Sequence, residues 1–248
     1  MEKYHESIIS VNFESMVMEM FKELKYSSMP VDVLLGRTLN DVEIKFAPKI
    51  LYVKGTIRIP LPRPRVSIIG SRKASPEGLE NAKKITKTLV EKQTVIVSGL
   101  AEGIDTSAHQ SSIALGGKTV AVLGTPLNKT YPSKNFELQQ EIMNNHLAIS
   151  QFPIGHTTTP KDFVLRNRTM ALISDATIIV EAGDTSGSLH QGWEALRLGR
   201  PLFIWKSVLN NTQLSWPKKM LQYGAMELSD PADMFEVLPS HLEMLDVL

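Results

Sequence analysis

An open α/β sheet, mostly parallel and with helices on both faces, is the fold this sequence predicts, and three observations predict it. From Val66 onward, apolar runs alternate with amphipathic segments, the pattern of parallel strands joined by helical crossovers. Glycine-rich or basic segments sit beside these runs, where strand-to-helix loops belong. The 248 residues suit one such domain with a small appendage better than two full domains.

In chain order, Val66-Ser67-Ile68-Ile69 reads as a buried strand. Pro76 suits the first turn of the next helix, in which Leu79, Ala82, Ile85 and Leu89 recur at helical spacing while Lys83, Lys84 and Lys87 face outward. Thr94 to Val97 is the second strand. Asp105 is placed to cap a helix running towards Leu115, with Gly116-Gly117 as its stop, and Thr119 to Leu123 forms the third strand. A helix over Phe136 to Asn145 precedes a short strand over Leu147 to Ile149. Asp162 to Ile173 reads as helix, Thr177 to Val180 as strand, Leu189 to Leu198 as helix stopped by Gly199, and Pro201 to Trp205 as the last strong strand.

The flanks differ. Residues 1–45 read as a short helical region, with an amphipathic stretch around Val17 to Leu24 and no strand alternation before Ile50 to Val53. Pro60, Pro62 and Pro64 space a stiff connector into the sheet domain, taken as 46–212. Residues 213–248 are expected to form an acidic helical segment packed on the sheet edge.

Composition removes several chemistries. With no cysteine there is no disulfide, thiolate metal site or thiol nucleophile, which fits a reducing compartment. Met1 to Ser10 carries charges where a signal peptide needs an apolar core, and no apolar run approaches the roughly 18 residues of a membrane span. A cytoplasmic protein without a membrane partner is expected. The net charge is only +1, but its distribution is uneven: Arg58, Arg63, Arg65, Arg72 and Lys73 follow one another without an acid, whereas Glu227, Asp230, Asp233, Glu236, Glu243 and Asp246 close the chain. Such asymmetry permits a basic face on a nearly neutral molecule.

Loops at the carboxyl ends of parallel strands converge on one edge, so function is expected in an anion-binding crevice there. The Gly99 to Gly103 loop lies between strand and helix, where backbone amides and the helix dipole favour a phosphate; positive-φ turn geometry alone would also account for its glycines. Ser186-Gly187-Ser188 sits the same way after a later strand, as a second anion seat or as ordinary helix capping. Arg72 follows the first strand and carries a fork suited to phosphate. Arg166 and Arg168 are two positions apart on a helix and diverge, so one clamps a ligand while the other braces the fold. His109, one turn after Asp105, is expected to pair with it and order the loop, since no nucleophile accompanies them.

Other motifs do not complete. Gly117-Lys118-Thr119 imitates the end of a P-loop, but Ser112 occupies its first glycine position and a strand follows rather than precedes it. Gly70-Ser71-Arg72-Lys73-Ala74-Ser75 is not a dinucleotide fingerprint, and the six histidines show no metal-ligand spacing. No catalytic residue, cofactor or metal is expected.

Gly70-Ser71-Arg72, Ser98 to Asp105 with Ala108-His109, Gly117 to Gly124, Tyr131-Pro132-Ser133-Lys134-Asn135, Arg166-Asn167-Arg168, and Glu181-Ala182 followed by Ser186-Gly187-Ser188-Leu189 together resemble, in order and spacing, the DprA/Smf family over roughly residues 46–206. The resemblance implies an extended Rossmann-like domain, a homodimer, and a non-enzymatic protein that binds single-stranded DNA, protects it and helps to load a RecA-type recombinase during DNA uptake or recombination. The positions matching the family's DNA and phosphate contacts are Arg72, Ser98, Gly99, Gly103, Lys134, Arg166, Arg168, Ser186, Gly187 and Ser188. Tyr131, Phe152 and Phe163 are candidates for the stacking faces that sequence-independent binding needs. Two departures stand out. Glu102 replaces a residue commonly basic in the family, and an acid there repels phosphate. A complete N-terminal helical domain and a C-terminal winged-helix domain, found in many relatives, are expected to be missing. A second reading is a nucleotide-binding sensor or phosphoribohydrolase-like enzyme using the same crevice, although Gly187-Ser188-Leu189-His190-Gln191 places an amide where those enzymes carry a carboxylate.

Overall fold

The computed structural model describes residues 24–238 and, within them, a nine-stranded sheet. β1 (Ser27–Met29) is followed by two short helices, α1 (Val31–Leu35) and α2 (Asp41–Ile44), and by β2 (Leu51–Gly55). Strand and helix then alternate through β3 (Arg65–Gly70), α3 (Pro76–Glu91), β4 (Val95–Ser98), α4 (Ile104–Ala114), β5 (Thr119–Leu123), α5 (Phe136–Asn145), β6 (Leu147–Ser150), α6 (Pro160–Ile173), β7 (Ala176–Glu181), α7 (Leu189–Arg197) and β8 (Leu202–Trp205). Two more helices, α8 (Lys206–Leu209) and α9 (Trp216–Gln222), precede β9 (Met226–Leu228). The spatial order is β1-β2-β6-β5-β4-β3-β7-β8-β9, parallel throughout except for β1 on β2 and β2 on β6. This is the expected α/β, Rossmann-like architecture.

Alternation explains how both faces are covered. Along β4, Val95 and Val97 enter the cluster that holds Met170, Ala195, Trp216 and Met220, whereas Ile96 joins Ala82, Ile85, Leu89 and Ala108 of α3 and α4. Local signals agree with these placements. Ser75 caps α3, its Oγ accepting from the Gly78 amide at 3.0 Å with Pro76 in the first turn, and Thr159 and Asp162 form a capping box ahead of α6.

The flanks correct the sequence reading. Within the region expected to be only helical, Ser27 to Met29 forms an edge strand, and Val31, Leu34 and Leu35 of α1 are buried in the main core. Three residues are too few to display alternation, so the strand left no signal. The Val17 to Leu24 stretch lies outside the described residues except for Leu24 itself. After β8, the segment expected to be helical supplies β9, which pairs with Phe203 to Trp205 and closes the sheet edge. Glu243 and Asp246 lie outside the described residues.

The run of basic residues is also divided. Arg65 is buried, with its backbone amide and guanidinium both on the Asp175 carboxylate, and Arg63 reaches the same carboxylate at 2.9 Å. Burial opposes charge on Asp175, but the two guanidinium groups outweigh it and hold the carboxyl below its ordinary range. This cluster clamps the starts of β3 and β7. Only Arg72 and Lys73 of the run reach the opposite end of the sheet. No helix among the described residues is long and apolar enough to cross a membrane.

Candidate functional site

From β3 the chain winds outward through β4, β5 and β6 on one side and then through β7, β8 and β9 on the other, so the winding reverses between β3 and β7. Open α/β sheets present their ligand crevice at this switch point, outside the carboxyl ends of the strands. A groove of about 720 Å³ lies there, and Arg72, Tyr131, Phe163, Thr185, Ser186 and Ser188 are among its lining residues.

The Arg72 loop is fixed from both sides. The Ser71 amide donates to the Glu181 carbonyl at 2.7 Å, and the Ser71 carbonyl accepts from the Ile104 amide at 3.2 Å. The Glu181 carboxylate accepts from the Ser75 amide at 3.0 Å and from the Ser75 hydroxyl, tying the end of β7 to the start of α3. Gly103 stands against this loop with φ +72°, where any Cβ would collide with the Ser71 carbonyl.

The Gly99 to Gly103 loop departs from the expected phosphate cradle. The Gly99 and Ala101 amides donate to the Asp105 carboxylate at 3.1 and 3.4 Å, so they face inward. Asp105 thus holds the loop through these amides, from the first turn of α4 rather than as its cap, which is Gly103. Ser98 is fully buried, its hydroxyl donating to the Ile68 carbonyl at 2.7 Å, and offers nothing to a ligand. Asn135 donates to the Leu100 carbonyl and the Thr106 hydroxyl, both at 2.9 Å, and so locks the Lys134 segment against the same loop.

Arg166 turns out to be the brace. It is 4% exposed, donates to the carbonyls of Gly99 and Val122 and, through Nε, to the Asn167 side chain at 2.9 Å. Burial lowers its pKa to about 10, and the neighbouring Asp105 opposes the shift, so the guanidinium stays charged at neutral pH. Burial likewise pushes the Asp105 carboxyl upward, against the pull of Arg166. Arg168 points elsewhere, its guanidinium lying 4.5 Å from the Phe46 ring centroid, and it does not line the groove. The divergence read from the helix is correct; neither arginine is simply a clamp.

Two of the three aromatic candidates meet in the groove. Tyr131 and Phe163 have ring centroids 5.1 Å apart, and the guanidinium groups of Arg72 and Arg166 lie 5.7 and 5.8 Å from the Phe163 centroid. Gly124 makes room for the Phe163 ring. Phe152 is instead buried and stacked on His156 at 4.8 Å. Across the groove, the Ser186 and Ser188 hydroxyls bond one another at 2.7 Å, and Asn167 holds the intervening turn by donating to the Gly187 carbonyl at 3.0 Å. Lys134 lies at the rim with Nζ 2.7 Å from a Glu102 oxygen.

His109 does not pair with Asp105. Its Nδ1 is 2.7 Å from the Thr119 hydroxyl in a fully buried site. Burial first, and His146 and Arg166 after it, lower its pKa from 6.5 to about 3. The folded chain therefore leaves this imidazole neutral where the unfolded chain protonates it. Its contribution to stability is present above pH 6.5 and is lost as pH falls towards 3, at up to about 1.4 kcal/mol per pH unit. Melting curves at pH 7.5 and 5.5 should show a larger acid loss for the native chain than for His109→Gln; equal losses would contradict the assignment.

Sequence reasoning missed Lys73, Thr185 and His190, all lining the groove. Their only signal is position: each follows β3 or β7, the strands that flank the switch point.

The sequence profile of the family described as DNA recombination-mediator protein A matches residues 28–239. The DNA processing protein DprA of Streptococcus pneumoniae is 42% identical over 161 residues, covering 65% of this chain and 56% of the relative, so the chain spans little over half of that protein's length. The solved structure of DprA from the same species superposes with a TM-score of 0.74 at 32% identity, covering 90% of this chain and 78% of that one. DNA processing protein A of Helicobacter pylori, solved to describe its single-stranded DNA binding mode, gives a TM-score of 0.72 at 26% identity, covering 87% of this chain and 96% of that one. With that profile spanning most of the chain and the fold superposing on DprA, the chain belongs to the DNA recombination-mediator protein A family, that of DprA and Smf.

Proposed function

We propose that this chain binds single-stranded DNA in the switch-point groove without catalysing its cleavage. The observation that carries the reading is the meeting in one groove of a stacking pair, Tyr131 and Phe163, with the Arg72 guanidinium and the Ser186 and Ser188 hydroxyls. Unpaired strands are held by such a combination, because every base has a face to stack and every phosphate a charge to seat. The likeness to the Helicobacter pylori protein supports it. Arg72 and Lys73 contact the backbone, the Ser186 to Ser188 turn seats a phosphate, and Arg166 supports the walls. On the family likeness alone, we further propose that the chain acts in the cytoplasm as a homodimer that protects single strands and helps a RecA-type recombinase to load.

The nucleotide-hydrolase reading is weaker at one position. Gln191 is fully buried and its Nε2 donates to the Ser67 hydroxyl at 2.7 Å, so a neutral amide, tied into the fold, stands where the carboxylate would act. A labelled oligonucleotide titrated against salt tests the choice. Binding with a log-log salt slope of roughly −0.7 per neutralised phosphate, not displaced by mononucleotides, is expected. No binding at low salt, or turnover of a nucleotide, would overturn the reading.

A further inference from the structure

We propose that Glu102 and Lys134 together read the pairing edge of a guanine base seated beside the groove. The inference rests on the single-strand reading above and adds a base preference to it. A cavity of about 180 Å³ opens off the groove, walled by Gly99, Ala101, Tyr131, Pro132 and Phe163, and among the described residues Glu102 is the one carboxylate that lines it. Elsewhere the ionic groups of that cavity are cations, namely Arg72, Lys73 and Arg166. A phosphate at the Glu102 end would face a like charge and compete with it for Lys134, whereas a base is neutral and would not. The carboxylate therefore sorts the strand, with backbone towards Arg72 and a base towards itself.

The chemistry of the rim selects which base. Lys134 Nζ lies 2.7 Å from Glu102 Oε2, and the two side chains are 60% and 40% exposed, so their outer edge stays open. Between them the pair supplies one ammonium donor and two carboxylate acceptors. Guanine offers the complement: its O6 accepts, and its N1–H and exocyclic N2 amine both donate. The carboxylate takes the last two in a bidentate contact while the ammonium takes the first. Thymine would set its O2 against the second carboxylate oxygen, and adenine and cytosine each bring only one amine with a ring acceptor beside it. Single-stranded bases are recognised in this manner, stacked on aromatic rings and bonded along the Watson–Crick edge.

Hypoxanthine isolates the contact because it is guanine without the N2 amine. Thymidine oligonucleotides carrying one central deoxyguanosine or one deoxyinosine should be compared by fluorescence anisotropy at fixed salt, with the native chain and with Glu102→Ala. The native chain should hold the guanine strand roughly fivefold to tenfold more tightly than the inosine strand. Glu102→Ala should lose that ratio and bind all-thymidine strands more tightly, since Lys134 is released to phosphate. Equal affinity of the native chain for the two strands, or persistence of the ratio in Glu102→Ala, would overturn the inference while leaving the single-strand reading in place. Failure of every strand to bind would remove both.

Discussion

Replacing Arg166 with alanine should destabilise the fold by about 3–5 kcal/mol, the scale for removing one member of a buried charge cluster. Three groups lose their donor at once, the carbonyls of Gly99 and Val122 and the side chain of Asn167, and Asp105 is left buried without the cation that most favours its charge. For a chain of this size the melting temperature should fall by roughly 10 °C, read by calorimetry or circular dichroism. Arg166→Lys should recover little, because an ammonium cannot reach the Gly99 loop, β5 and the Asn167 side chain together as a planar fork does. An unchanged melting temperature with lost DNA binding would show instead that Arg166 acts on the ligand and not on the walls.

Phe163→Ala should weaken single-strand binding by roughly tenfold to a hundredfold, the range for one base–aromatic stack, with the salt slope unchanged. Arg72→Ala should do the converse, flattening the slope by about 0.7 for the phosphate it releases while sparing whatever stacking remains. The pair of variants separates the two physical contributions that the groove places side by side, with the Arg72 guanidinium 5.7 Å from the Phe163 centroid. If Phe163→Ala changed the slope as much as Arg72→Ala does, the ring would be acting through the position of Arg72 and not as a stacking face.

The repeating part of the fold was legible because the strands from β3 to β8 are buried apolar runs and several crossover helices carry a cap or a stop, as at Ser75, Thr159 and Gly199. The two edge strands were not, since Ser27 to Met29 and Met226 to Leu228 are three residues long and owe their conformation to the neighbour they pair with. Within the site, Arg72, the Ser186 to Ser188 turn and the Tyr131 and Phe163 faces were found from their place after a strand or from their chemistry. What sequence could not supply was direction. Nothing in the spacing of Asp105 says that it draws the Gly99 and Ala101 amides inward, or that Asp175 would take Arg63 and Arg65 to the far end of the sheet.

The contact between Gly103 and the Ser71 carbonyl has a bearing on how such a protein diversifies. Two loops joined by the Ile104 amide on the Ser71 carbonyl, with no room for a Cβ at Gly103 between them, are held in one fixed register. The rim is free of that constraint: Glu102 and Lys134 are 40% and 60% exposed, so a substitution there meets solvent and leaves the interior undisturbed.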